Sequence, residues 1–311
     1  MRDAFIAKLS ELAAKDSKIA LLTGDLGFGV LTHFAEKFPN QFINAGVAEQ
    51  NMTALACGMA LSGWKTYTYS IANFTTLRCL EQIRNDICYH GADVCVVSVG
   101  AGFSYGQLGM SHFATEDLAI MRALPGMRVV TPAERWEVED LTEQLAAEPG
   151  PAYIRIDKGI GGTTRRAGER AIIGKARTIR DGSDVSLLSA GAILRETVAA
   201  AEMLADDGIL TEVISFPTIK PIDVDAIIAT ARKTRRIVTV EEHTIVGGLG
   251  ALVAETCLEA AIQIDGFKRI GLQDCYPSIV GDQNFLRSQY GMDAAAIRDA
   301  AKSIVGERAR C

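Results

Sequence analysis

Short runs of apolar and β-branched residues punctuate the first half of the chain: KIALLTG (18–24), FINAG (42–46), KTYTYS (65–70), VCVVSVG (94–100), MRVVTP (127–132) and PAYIRI (151–156). Each reads as a strand, and the stretches between them carry helical periodicity. The opening MRDAFIAKLSELAAKDSK predicts an amphipathic helix, and Met52 and Met59 fall at the spacing of one buried helix face. Such alternation predicts a parallel sheet crossed by helices. Residues 157–183, DKGIGGTTRRAGERAIIGKARTIRDGS, hold glycine and charge without a long apolar period, and read as a linker. Beyond it, strands DVSLLSAG (184–191), LTEVISFPTIKP (210–221) and RRIVTVEE (235–242) alternate with helices near 193–206, near 223–233 and from about 249. The expected fold is therefore α/β in two domains: a parallel-sheet domain over 1–170 and a smaller α/β domain over 183–311.

Composition agrees with a well-cored protein: 311 residues, 48% hydrophobic and 23% charged. A net charge of −6 and the absence of any Lys/Arg run argue against nucleic acid as a partner. No apolar run approaches the roughly 18–20 residues that cross a bilayer, so no membrane partner is expected and a cytoplasmic location is. The cysteines at 57, 79, 88, 95, 257, 275 and 311 form no CxxC and sit mostly in apolar segments. They read as small buried hydrophobes, Cys311 at the terminus excepted, and not as a disulfide framework or a zinc site.

In open parallel sheets ligands gather beyond the carboxyl ends of the strands, which directs attention to Asp25, Glu49, Phe74, His112 and Arg155. Glu49 stands in the first turn of a predicted helix, where the macrodipole alone stabilises an acid by about 0.3–1 kcal/mol. Its neighbours are small and apolar, however, and a buried acid without a partner is costly. VGAGFSYGQLGMSH, with glycines at 100, 102, 106 and 109, suits a backbone passing close to a ligand, and equally a surface loop. His112 at its end fits either a cap or core residue or a functional one. VGGLGALVAE (246–255) lacks the GxGxxG spacing and reads as a tight strand-to-helix turn, with a structural role for His243 beside it. EQIRND (81–86) reads as a solvated, salt-bridged helix face or a subunit contact.

NAGVAEQNMTALACGMALSGWKTYTYSIANFTTLRCLEQIRND, followed by GFSYGQLGMSHFATEDLAIMRALPGMRVVTPAE, resembles the C-terminal half of a transketolase. VSLLSAGAILRETVAAAEMLADDGILTEVISFPTIKPID and VTVEEHTIVGGLGALVAE resemble that family's last domain, so the likeness covers nearly the whole chain. It implies a pyrimidine-binding domain followed by a transketolase C-terminal-like domain. By matching position it implies that Glu49 faces the aminopyrimidine of thiamine diphosphate, hydrogen-bonds its N1′ and promotes loss of the thiazolium C2 proton. Phe74, with Ile71 and Thr68, matches the pyrimidine pocket, and Asp25 a residue near the cofactor. His112 matches a histidine that binds donor-sugar oxygens. Arg155 aligns with an arginine for the substrate phosphate, although a strand-end salt bridge accounts for it equally.

The departures narrow the expectation. The family's donor-binding acid falls at Leu108 and an upstream histidine at Gly100, which puts ordinary pentose phosphates in doubt and favours a modified ketose, branched or bearing another anion. The GDG and NN pair that holds the diphosphate and Mg2+ is absent: GDL at 24 and GDQN at 281 do not complete it. No metal is therefore expected in this chain. A separate N-terminal-type subunit is expected to carry Mg2+ and the diphosphate, in an α2β2 heterotetramer. The implied activity is transfer of a two-carbon glycolaldehyde unit from a ketose to an aldehyde, in a chain active only with its partner. The alternatives are the β subunit of a 2-oxo acid decarboxylating complex, a deoxyxylulose phosphate synthase-like carboligase, and a non-catalytic assembly subunit.

Overall fold

The computed structural model describes residues 1–159 and 162–306; Cys311 lies outside them. The predicted strands appear as β1 (Ile19–Thr23), β2 (Phe42–Asn44), β3 (Lys65–Ile71), β4 (Val94–Val99), β5 (Arg128–Val130) and β6 (Ala152–Ile156). β7 (Arg177–Arg180), β8 (Val185–Ala190), β9 (Thr211–Ser215), β10 (Thr218–Lys220), β11 (Arg236–Thr244) and β12 (Gly266–Leu272) follow. The central strands bury both faces, with β1, β4, β6 and β8 buried along their whole length. That is why they read as continuous apolar runs rather than alternating ones.

A seven-stranded sheet has the order β10-β5-β6-β4-β3-β1-β2 and a five-stranded sheet the order β12-β11-β8-β9-β7. Pairing is parallel except at one edge of each: β10 runs antiparallel to β5, and β7 antiparallel to β9. Two features differ from the sequence expectation. LTEVISFPTIKP is not one strand: Pro217 interrupts it, β9 stays in the second sheet, and β10 joins the first. The second sheet also begins at Arg177, inside the stretch that reads as a linker. There Arg177 is buried, bonded to Glu169 and Glu137.

The opening helix, Arg2–Ala13, buries Phe5, Ile6, Leu9 and Ala13, and with Trp136, Val138 and Leu141 covers one face of the large sheet. The helix Glu49–Leu61 covers the other face through Met52, Ala56 and Cys57, with Met59 partly buried beside them. That core continues past the domain junction into Leu188, Ile214, Phe216, Leu249 and Val253. The two halves therefore share a core. Among the described cysteines none is bonded; Cys57, Cys79, Cys95 and Cys257 are buried, as expected, but Cys275 is exposed. No described helix is long and apolar enough to cross a membrane.

Candidate functional site

The carboxyl ends of β1, β2, β3 and β4 open on one rim. Asp25, just beyond β1, adopts a left-handed backbone (φ 57°), which a short polar side chain tolerates. Its carboxylate accepts from Asn44 Nδ2 at 2.9 Å, while Asn44 Oδ1 accepts from the Asp25 and Gly46 amides, each at 3.0 Å. Asp25 and Asn44 thus fasten the ends of β1 and β2 and fix the turn that leads into the helix Glu49–Leu61. Asp25 lies on the rim, exposed, with Asn44 on its carboxylate.

Glu49 is the first residue of that helix and only 3% exposed. Gly24 makes this possible: a Cβ there would sit 3.3 Å from Glu49 Cγ. The partner that the apolar surroundings demand is Arg78, whose Nη1 donates to Glu49 Oε2 at 2.9 Å. The guanidinium lies over the Phe74 ring, Cζ 4.4 Å from its centroid. Phe74 and Arg78 follow β3 through the short helix Ala72–Thr76 and the tight turn Leu77–Cys79, with half-buried Ile71 capping the helix. His112 meets the edge of Phe74, ring centroids 5.1 Å apart at 62°. The glycine-rich loop after β4 is therefore brought against the helix after β3, and Asn73 Nδ2 donates to Ser111 O at 2.6 Å to hold it there. Gly102 is required in that loop: it has φ 52°, and a Cβ would strike the Glu242 carboxyl from the second domain.

His112 Nδ1 lies 3.0 Å from Ser111 Oγ, and burial lowers its pKa below 6.5. Because the folded value is depressed, the ring stays neutral at pH 7, and charging it costs stability as pH falls below 6.5 toward the folded value. An NMR titration of this ring is expected to give a midpoint below 6.5, while a midpoint above it would mean an uncharted anionic neighbour.

Arg155 requires a correction. It is 2% exposed, donating from Nε to Asp117 at 2.7 Å and from Nη2 to the Ala114 and Glu242 carbonyls at 2.7 and 2.9 Å. Burial would lower its pKa, but Asp117, with Tyr153 and Glu242, outweighs burial and raises it. It forms the salt bridge, tying β6 to the second domain, and is buried away from a substrate phosphate. Thr68 is likewise wholly buried within β3. The exposed cation at the end of β6 is Lys158, its ammonium 5.1 Å from the Tyr105 ring centroid, and Tyr105 in turn lies 6.5 Å from His112. Among the described residues no group of three or more His, Cys, Asp or Glu is placed to hold a metal ion. The residues that sequence reasoning missed are Arg78, Asn44 and Lys158. For Arg78 a signal existed, since it stands one helical turn after Phe74.

His243 is buried between the domains, Nε2 accepting from the Ala119 amide at 3.3 Å and Nδ1 facing the Thr244 carbonyl at 2.7 Å. EQIRND is not an ordinary helix face, because Ile83–Cys88 winds as a π-helix.

The model of the transketolase pyrimidine-binding domain matches residues 1–162, and that of the transketolase C-terminal domain residues 174–297. The chain is 35% identical to an apulose-4-phosphate transketolase subunit of Phocaeicola vulgatus, covering 98% of this chain and 97% of that one. It is 34% identical to the 6-deoxy-6-sulfo-D-fructose transketolase subunit of a Clostridium species, covering 98% and 94%. Among solved structures it resembles a split-gene transketolase described as an inactive β4 tetramer, with 32% identity, a TM-score of 0.87, and coverage of 98% and 97%.

Proposed function

This chain belongs to the transketolase family, and on that premise we propose that it is the pyrimidine-half subunit of a split, thiamine diphosphate-dependent transketolase. The enzyme transfers a two-carbon glycolaldehyde unit from a modified ketose to an aldehyde. The observation that carries this reading is the slot between Glu49 and Phe74. A flat, nitrogen-rich group with N–H donors fits it, since the Arg78 guanidinium already lies there, 2.9 Å from the carboxylate and 4.4 Å above the ring. An aminopyrimidine has the same character.

Thiamine diphosphate, when bound, supplies the carbon nucleophile and electron sink for breaking and making the carbon–carbon bond. The chain's own residues do the rest. Glu49 hydrogen-bonds the ring nitrogen N1′ and exchanges a proton with it, from a position shielded from water. Phe74 fixes the plane of the ring, joined by Ile71 at the start of the helix that bears it. Asp25 acts on the cofactor side of the rim through the Asn44 contact that shapes the Glu49 turn. His112, neutral at pH 7, presents its ring to the oxygens of the donor sugar.

The diphosphate and Mg2+ fall to a second chain, in an α2β2 assembly. In support, the sequence lacks the GDG and NN pair, and relatives matched almost end to end are named as transketolase subunits. Those names refer to a phosphorylated and a sulfonated ketose, which supports a donor with a terminal anion. With Arg155 engaged, Lys158 is the group that meets this anion. Lys158→Ala is expected to raise KM for the anionic donor about tenfold, the low end for a charge-assisted contact, with kcat little changed. An unchanged KM would remove Lys158 from the site.

The test of the whole reading is reconstitution with a chain carrying GDG and NN, followed by addition of Mg2+, thiamine diphosphate, an aldehyde and, in separate reactions, a ketose or a 2-oxo acid as donor. A new ketose formed without CO2 is expected. Release of CO2 from a 2-oxo acid instead would assign the decarboxylating alternative, and no turnover with either donor would favour an assembly role.

A further inference from the structure

Arg78 has no task in the chemistry above, yet it lies where the coenzyme's ring would. Its Nη1 donates to Glu49 Oε2, and its guanidinium carbon lies over Phe74. Both contacts are those expected of an aminopyrimidine, so the guanidinium and the ring compete for the same seat. Without Arg78 the unloaded chain would hold a sheltered carboxylate with no cation beside it, which is destabilising.

The two partners differ sharply in exposure: the Arg78 side chain is 47% accessible and that of Glu49 only 4%. Glu49 is fixed and Arg78 sits at the mouth. The backbone under Arg78 is also held, with Gln50 Nε2 donating to the Arg78 carbonyl at 3.1 Å and Cys79 Sγ within 3.3 Å of the Phe74 carbonyl. Movement is thereby confined to the side chain, which can turn into solvent by rotation about its own bonds. Arginine suits such a role better than lysine, because a planar guanidinium donates to a carboxylate while stacking on an aromatic face.

We propose that Arg78 is a placeholder for the coenzyme: it occupies the pyrimidine seat in the unloaded subunit and is exchanged for the aminopyrimidine ring when the site fills. The inference rests on the functional reading above. Its consequence is that apparent coenzyme affinity is reduced by the fraction of molecules in which Arg78 holds the seat.

The experiment titrates thiamine diphosphate with Mg2+ into the reconstituted wild-type pair and into the pair carrying Arg78→Met, which keeps the apolar stem and loses the charge. Calorimetric Kd is the readout. Arg78→Met is expected to tighten binding about three- to fivefold, the upper scale of a half-exposed ion pair released from competition. On a Glu49→Gln background the same substitution is expected to change Kd by less than about twofold, because the attraction that closes the seat is gone. The free chain supplies an independent readout: Arg78→Met lowers its thermal midpoint, and filling the site in the pair removes the difference. Weaker binding would show that Arg78 grips the coenzyme, and unchanged binding that it is indifferent; either result overturns the proposal. Failure of the wild-type pair to bind thiamine diphosphate at all, visible before any variant is made, would remove the functional reading and this inference with it.

Discussion

Glu49→Gln is expected to cut kcat of the reconstituted enzyme by about 10²–10⁴-fold, the range for a positioned acid–base group, while the chain stays folded. Glutamine has the same size and retains an oxygen that accepts a hydrogen bond, so the slot beside Phe74 keeps its shape. What it lacks is a group that can take and return a proton at the ring nitrogen. The carboxyl is shielded, 3% exposed, so water does not substitute for it readily. Steady-state assays with ketose and aldehyde measure the loss. Thiamine diphosphate titration on the same protein shows whether binding persists while turnover is gone. Retention of more than about a tenth of wild-type kcat would lie outside that range and would mean that the coenzyme is activated by another group.

The second large effect concerns stability. Arg155→Met is expected to destabilise the protein by about 3–5 kcal/mol, the cost of leaving one member of a buried ion pair alone. Asp117 would keep only the Tyr153 hydroxyl, at 2.5 Å, the Glu242 carbonyl would lose the guanidinium, and the Ala114 carbonyl would keep only the Gly102 amide. Chemical denaturation measures this as a lowered midpoint. Adding Asp117→Leu to Arg155→Met removes the stranded charge and is expected to recover much of the loss. The outcome discriminates between two roles. If Arg155 were an anchor for the substrate's anion, the variant would unfold at the wild-type midpoint and show a raised KM.

Much of this is legible in the chain. Glu49, Phe74 and His112 lie beyond runs whose apolar character marks them as central strands, and the family resemblance falls on the same residues. The Phe74–His112 ring contact and the burial of Glu49 agree with their being neighbours. Legibility fails where an environment is assembled from distant segments. The family resemblance offers Arg155 as an anion ligand and the sequence leaves a strand-end salt bridge equally open; the Glu242 carbonyl that helps bury it comes from the second domain. Arg78 escapes a search confined to strand ends, although its spacing from Phe74 is visible in the sequence. β7 and β12 escape it for another reason. RTIR and GFKRIGL sit at sheet edges, the first with Arg177 and Arg180 at its ends and the second with Lys268 and Arg269 exposed, and edge strands carry little apolar signal.

The crossing of β10 into the large sheet limits how this protein can be cut or recombined. Thr218 and Lys220 pair with Val130 and Val129, and Thr131 N donates to Pro217 O at 2.8 Å. Excising the first half near residue 165 would strip that seam and leave the backbone of Val129 and Val130 as an open template for aggregation. Chimeras between relatives should therefore exchange the whole chain, or carry the 128–131 and 217–220 segments from one parent.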